Sequence, residues 1–214
     1  DVISDVKRSN LEIVNYSAPV NEVLELEELE AHLHSIPDHP DWIPYVFSYY
    51  QQQWGFCLPH KIRQNLIPGK YHAVIDSSFV DGAVEYGYSY LHGTSGSQTD
   101  ERKLVLISSY LCHPSLANNE LSGPIILAAL YGRLKKWKSR RFDYLFVINP
   151  ETIGSICFLH QHGKKLKDVM QAGLVLTCLG GSNKKLNYKK SRLGDSSLDQ
   201  LFTQLELEGE VNVR

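Results

Sequence analysis

The second half of the chain alternates between apolar segments and segments with helical periodicity. The apolar segments, which read as strands, are residues 103–110, 144–148 and 173–179. Helical spacing is found in residues 122–137, 153–161 and 197–207, and Ser196 is a candidate N-cap for the last of these. Near-continuous apolar strands that alternate with helices are typical of sheets covered on both faces. The pattern predicts an α/β fold with a mixed, mostly parallel sheet.

The first half of the chain has a different pattern. Residues 24–35 have helical spacing, and the prolines that follow at Pro37, Pro40 and Pro44 prevent its continuation. Residues 70–76 and 83–91 alternate as strands of a small, mostly antiparallel sheet would. Between residues 93 and 102, Gly, Ser, Thr, Gln and charged residues replace the alternating apolar ones. We therefore expect a small α+β domain at residues 18–100 and part of an α/β domain at residues 101–214.

Charge and hydropathy narrow the class of partner. A formal net charge of −2 leaves no basic excess to neutralise nucleic-acid phosphates. No apolar stretch approaches the roughly 20 residues that span a bilayer, and the first residues lack the basic and apolar regions of a signal peptide. The four cysteines are far apart and lie in apolar surroundings, as reduced core thiols do. We expect a cytoplasmic protein without nucleic-acid or membrane partners.

Aromatic residues are dense in the first half of the chain. They are Trp42, Tyr45, Phe47, Tyr49, Tyr50, Trp54 and Phe56. Such a group could form a surface that stacks on sugars or binds peptides, but aromatics at this density more often fill the core of a small domain. We favour the core.

Polar side chains follow each of the three predicted strands of the second half. The segments are residues 112–123, residues 149–155 and residues 180–183, from Gly180 to Asn183. Ligands of open α/β sheets bind outside the carboxyl ends of the strands, so these segments should meet at one edge. His113 and Glu151 would then lie close together.

An imidazole beside a carboxylate suits zinc. Catalytic zinc sites use three protein ligands and keep one position open for water. His113 is the candidate ligand, although a loop histidine hydrogen-bonded to the backbone is the alternative. Glu151 is either a second ligand or the general base that takes a proton from water, and spacing alone does not separate these roles. Cys112 and Ser122 lack the surrounding signatures of protease nucleophiles.

Several motifs resemble those of a known family. They are Trp-Gly-Phe-Cys-Leu at residues 54–58, Cys-His-Pro-Ser-Leu-Ala-Asn-Asn-Glu-Leu-Ser-Gly-Pro at residues 112–124, Pro-Glu-Thr-Ile-Gly-Ser at residues 150–155 and Tyr-Lys-Lys-Ser-Arg at residues 188–192. Together they resemble a bacterial family named by domains of unknown function and often labelled polysaccharide-biosynthesis proteins with an aminopeptidase-like domain. The family looks like a branch of the zinc-dependent aminopeptidases.

The resemblance implies a helix-covered mixed sheet with a small inserted domain, a zinc cofactor and a peptide or related amide substrate. It makes His113 a metal ligand and Glu151 the acidic residue of the Glu-Thr turn, and it puts Asn119 where the related enzymes have a metal-bridging Asp. It also implies that family members are much longer than this chain, so that parts of the peptidase domain lie elsewhere.

Two departures from the family pattern affect the predicted site. Asn119 is neutral, and an amide oxygen bridges two cations poorly, while Glu120 could take its place as a ligand only if the loop turns differently. Gly181 stands where family members tend to carry an Asp. We therefore expect one metal rather than two, and weak metal binding by this chain alone. The alternative function is a non-catalytic binding or scaffold protein of surface-polysaccharide biosynthesis that has lost metal ligands.

Overall fold

The computed structural model describes residues 1–95, 103–182 and 184–214. The chain forms two compact units, Asp1–Gly82 and Ala83–Arg214. Most of the segment expected to separate two domains, residues 96–102, lies outside the described residues, and so does Asn183. Whether residues 18–100 form a domain inserted into the α/β fold stays a prediction.

The first unit is built on a two-stranded antiparallel ladder. Its elements are β1 (Val20–Glu25), α1 (Leu26–Leu29), β2 (Leu33–His34), β3 (Phe56–Cys57), α2 (His60–Arg63) and β4 (Lys70–Ile75), with 3-10 turns at Asn10–Glu12 and Glu30–His32. Strands β1 and β4 are antiparallel, with Val20 opposite Ile75, and β2 and β3 form a short parallel pair. The predicted strand at residues 70–76 is confirmed.

The predicted helix at residues 24–35 is confirmed only in part, because helical turns cover Leu26–Leu29 and Glu30–His32 but not the two ends of the segment. Its first two residues belong to β1, whose backbone groups are satisfied by β4, and the chain then makes the single helical turn α1. A capping box between Glu25 and Glu28 starts that turn only after the strand has ended. Pairing with a strand about 50 residues away in sequence has overridden the local periodicity.

The aromatic residues of the first unit lie mostly at its surface. Trp42, Phe47, Tyr49 and Tyr50 are exposed, so the prediction that they fill the core is wrong. The core is aliphatic, with Leu29, Leu33, Leu58 and Ile75 among its buried residues, while Trp54 and Phe56 pack against it partly buried. The rings of Phe47 and Tyr49 stack on each other with centroids 4.4 Å apart.

The second unit contains the predicted mixed, mostly parallel sheet. Its strands are β5 (Gly87–Leu91), β6 (Leu104–Tyr110), β7 (Asp143–Asn149) and β8 (Met170–Val175), in the spatial order β5-β7-β6-β8. Strands β7, β6 and β8 are parallel to one another, and β5 lies antiparallel on β7.

Helices cover both faces of this sheet, as predicted. Helix α3 (Ser122–Lys135) packs on one face, where Leu127 joins a buried cluster with Phe146. Helix α4 (Ile153–Val169) packs on the other, where Phe158 joins a cluster with Leu145. Neighbouring residues of β7 point to opposite faces, so a buried strand is apolar along its length.

Three details of the second unit differ from the sequence predictions. Strand β5 belongs to this sheet rather than to the first unit's, because it pairs with β7 over five residues. Helix α4 continues to Val169, well past residue 161, and β8 begins at Met170 rather than at residue 173. In α3, Leu127 and Leu134 face the sheet, while Ile125 and Ile126 are exposed.

The chain ends in a small separate sheet. Strands β9 (Leu186–Tyr188) and β10 (Val211–Val213) are parallel, and α5 (Ser197–Leu207) connects them. The predicted helix and its N-cap are confirmed, because Ser196 accepts a hydrogen bond from the backbone of Asp199. Cys57 is a buried thiol, as expected, whereas Cys178 is exposed. None of the described helices is long and apolar enough to cross a membrane.

Candidate functional site

The loops that follow β6, β7 and β8 each hold one residue in an unfavourable backbone conformation. Ser115, Thr152 and Cys178 have φ angles of 67°, 58° and 51°. Side chains with a Cβ avoid this left-handed region, and the β-branched Thr152 does so most strongly. Such strain persists only where the surrounding structure imposes it, and it concentrates at functional sites. The carboxyl edge of the sheet is therefore the first place to look for a site.

A π-helical turn, Ala117–Leu121, leads directly into α3. At the start of α3, a Cβ on Gly123 would overlap the hydroxyl of Ser109 and the carbonyl oxygen of Leu176. Glycine thus allows the helix to begin in contact with the sheet. The turn in front of it holds Asn118, Asn119 and Glu120 beside the strand ends, and π turns of this kind are frequent at functional sites.

Hydrogen bonds from this π turn connect the loops. Asn118 Oδ1 accepts from the backbone of Gly180 at 2.7 Å, and Ser122 Oγ accepts from the backbone of Leu179 at 2.8 Å. The amide nitrogen of Asn119 donates to the Tyr110 hydroxyl at 2.9 Å. Burial raises the pKa of Tyr110.

The loop after β7 contacts the loop after β6 through a hydrogen bond to a cysteine sulfur. The backbone N–H of Glu151 points to Cys112 Sγ at 3.2 Å. Burial raises the pKa of the Cys112 thiol, and the Glu120 and Glu151 carboxylates raise it further, against the lowering effect of the Glu151 N–H. A raised pKa leaves less of the thiol in the thiolate form, which is the nucleophilic one.

His113 lies between two carboxylates. Its Nδ1 is 2.7 Å from Glu120 Oε1, and its Nε2 is 4.0 Å from Glu151 Oε2. The side chain of Glu120 is almost fully buried, that of His113 is 18% exposed and that of Glu151 is 50% exposed. The two residues therefore lie close together, as expected, while their roles as ligand and base stay predictions.

These donors fit a zinc ion only in part. Two ligand atoms of a tetrahedral zinc ion with bonds of about 2 Å lie about 3.3 Å apart. The 4.0 Å between His113 Nε2 and Glu151 Oε2 is longer, so the side chains would have to approach each other further to share one ion. A cavity of about 390 Å³ is lined by residues 111–117, Glu120 and Leu121. Asn119 fits a bridging role poorly, since its amide nitrogen is turned to Tyr110, and Gly181 adds no side-chain donor near Asn118.

The sequence alone does not reveal the contacts made by two residues of the site, Cys112 and Glu120. Cys112 was set aside as a nucleophile, yet its Sγ lies 3.2 Å from His113 Nδ1 and accepts from Glu151. Glu120 was considered only as a substitute metal ligand, yet it contacts both Cys112 and His113. Periodicity gives no signal for these contacts, because they depend on how the loops after β6 and β7 fold and on how the π turn folds back on the strand end.

Comparison with known proteins supports the aminopeptidase-like resemblance. A curated relative from Clostridium acetobutylicum is 40% identical over 203 residues, and its name proposes a role in polysaccharide biosynthesis and an aminopeptidase-like domain. A crystal structure from the same species, at 2.37 Å resolution, is of a protein whose name proposes that it is a peptidase. It is 36% identical to this chain, and the superposition covers 100% of this chain with a TM-score of 0.88.

The match to the curated relative includes 95% of this chain but only 45% of the relative's length. The superposition covers 48% of the solved chain. This chain therefore spans about half the length of both proteins. Residues 2–212 match the family described as a domain of unknown function, DUF4910. Because that match takes in nearly every residue, the chain belongs to the DUF4910 family.

Proposed function

We propose that this chain supplies His113 and Glu151 to the active site of a zinc-dependent, aminopeptidase-like hydrolase. The substrate would be a peptide that loses its N-terminal residue, or a related amide. The observation that carries the proposal is the 4.0 Å approach of His113 Nε2 to Glu151 Oε2 at the carboxyl edge of the sheet. The aminopeptidase-like names of the relatives support it.

His113 would hold the metal through Nε2, and Glu151 would act as the general base. When bound, zinc supplies Lewis-acid polarisation of a carbonyl group and acidifies water. The half-exposed Glu151 carboxylate can accept a proton from water as that water attacks the amide carbon. It then returns the proton to the amine as the carbon–nitrogen bond breaks. Further ligands would come from parts of the family's fold outside this chain.

Two substitutions in the full-length protein test these roles. Glu151→Gln keeps the size of the side chain but removes proton acceptance, so zinc content should persist while turnover falls by about 10² to 10⁴. His113→Ala should remove the zinc. The control is His160→Ala, which changes an exposed histidine of α4 and should leave both quantities unchanged. Zinc is measured by elemental analysis and turnover with aminoacyl substrates.

Other outcomes separate the alternatives. Equal loss of zinc in both variants would make Glu151 a ligand rather than the base. A wild-type protein that holds no zinc and cleaves no aminoacyl substrate would contradict the hydrolase proposal, and the non-catalytic binding protein would take its place. A cytoplasmic location also stays a prediction, which fractionation of the native host would test.

A further inference from the structure

Glu120 is a buried carboxylate with a partner at each oxygen. The residue is 2% exposed and lies on the π turn, where its backbone N–H donates to Leu116 at 2.7 Å. Oε2 accepts the backbone N–H of Cys112, and Oε1 is 2.7 Å from His113 Nδ1. A buried carboxylate is costly unless it is hydrogen-bonded, so both contacts are needed to keep it there.

The contact with His113 determines which ring nitrogen carries the proton. An ionised carboxylate can only accept hydrogen bonds, so His113 Nδ1 must be the donor. In the neutral ring this leaves the lone pair on Nε2, the nitrogen that faces Glu151. A carboxylate that holds the outer N–H of a metal-binding imidazole fixes the tautomer and raises the basicity of the other nitrogen.

We propose that Glu120 is a positioning residue rather than a metal ligand, and that it presents Nε2 of His113 to the metal. The link to zinc rests on the proposed function, while the tautomer of the metal-free protein does not. The competing arrangement uses Cys112, His113 and Glu120 themselves as ligands, since one ligand atom of each lies within 4.8 Å of the others. Nδ1 cannot both donate to Glu120 and bind a metal, so the two arrangements exclude each other.

The variant Glu120→Gln should reverse the tautomer of His113, because the backbone N–H of Cys112 can only donate a hydrogen bond. The amide oxygen of the new side chain must turn to that N–H, which leaves its NH₂ group facing His113 Nδ1. Nδ1 then has to accept, and the proton moves to Nε2. We expect the Nδ1–H tautomer in the wild type and the Nε2–H tautomer in Glu120→Gln. Zinc affinity should fall about 10- to 100-fold in the variant.

The test uses the full-length, metal-free protein with ¹⁵N-labelled histidine. Long-range ¹H–¹⁵N NMR spectra distinguish the two tautomers, and the resonances lost in His113→Gln identify this ring. Glu151→Gln is the matched control, because it makes the same change of charge on the Nε2 side and should preserve the Nδ1–H tautomer. Glu120→Ala, which removes the acceptor altogether, should also lose the preference for Nδ1–H.

An unchanged tautomer in Glu120→Gln would overturn the proposal. So would thiolate-to-cobalt charge-transfer absorption in the cobalt-loaded protein, if Cys112→Ser abolishes it, because Cys112 would then be a ligand. If the tautomer inverts in Glu120→Gln but the wild type binds no zinc, the positioning role holds and the proposed function fails.

Discussion

At the carboxyl edge of the sheet, the identity of individual residues is determined by the available space and by hydrogen bonding more than by apolar burial. Gly123 lies where any side chain would meet backbone, and each oxygen of the buried Glu120 carboxylate has a hydrogen-bond partner. Thr152 keeps a strained conformation immediately after Glu151, at the start of α4. These three residues hold the loops that carry the candidate site.

Two glycines of α3 provide a matched test of this packing. Gly123→Ala should destabilise the fold by about 1–3 kcal/mol, because its Cβ would overlap Leu176 O, which cannot move without disturbing the sheet. Gly132→Ala adds the same methyl group where nothing lies within 4 Å, and it should stabilise the helix by about 0.5–1 kcal/mol. Urea unfolding measures both. Similar shifts in the two variants would contradict the close approach of α3 to the sheet.

Among the elements, α5 depends on one buried carboxylate at its start. Asp199 is 1% exposed and accepts hydrogen bonds from Tyr188 and from the backbone and hydroxyl groups of Ser191 and Ser196. The Ser191 hydroxyl, with these other donors, holds the pKa of Asp199 well below its usual range despite the opposing effect of burial. The carboxylate thus joins the helix to the segment that follows β9.

Because the pKa of Asp199 is lowered in the folded state, the contribution of its carboxylate to the free energy of unfolding depends on pH. It is present in full above the unfolded pKa of about 3.9 and is lost as the pH falls towards the folded value. The stability difference between wild type and Asp199→Asn should be constant above about pH 5 and shrink below about pH 4. Urea unfolding across this range measures it. In the control Asp195→Asn, which changes an exposed residue, the stability difference from wild type should not change in this way with pH. A difference between wild type and Asp199→Asn that grows as the pH falls would contradict the stabilising role of the Asp199 carboxylate.

At the scale of the whole molecule, the chain divides into two compact units between Gly82 and Ala83. Strand β5 caps the free edge of β7, and Leu91 is buried in the cluster beneath α3. The chain leaving β5 is held as well, since Gly93 N–H donates to Asp143 at 2.7 Å. A segment that alternates like a strand of the first unit is thus part of the second.

Two fragments test the boundary directly. Residues 83–214 retain β5, whereas residues 101–214 lose it and expose the edge of β7. The shorter fragment should be less stable by at least about 1.5–3 kcal/mol, the contribution of burying a residue such as Leu91. It should also aggregate more readily through the open edge. Urea midpoints and light scattering measure these effects, and equal stability of the two fragments would contradict a structural role of β5 in the second unit.

The local sequence pattern was sufficient to predict an element where the periodicity of its apolar residues matches the faces that are buried. The strands β6 and β7 and the helix α5 with its Ser196 cap could be predicted, because their apolar periods and capping residues are properties of neighbouring residues. The meeting of His113 and Glu151 also followed from sequence, since parallel strands bring the segments at their carboxyl ends to one edge.

Partners distant in sequence decided the rest. Residues 24–25 are strand rather than helix because β4 pairs with them, and β5 joins the second unit because β7 offers an edge. The aromatic residues are exposed because aliphatic side chains fill the core of the first unit. Glu120 contacts His113 only because the π turn folds back on β6. Periodicity indicates which faces are apolar, but the group that satisfies a backbone edge or a buried charge is set by tertiary contacts.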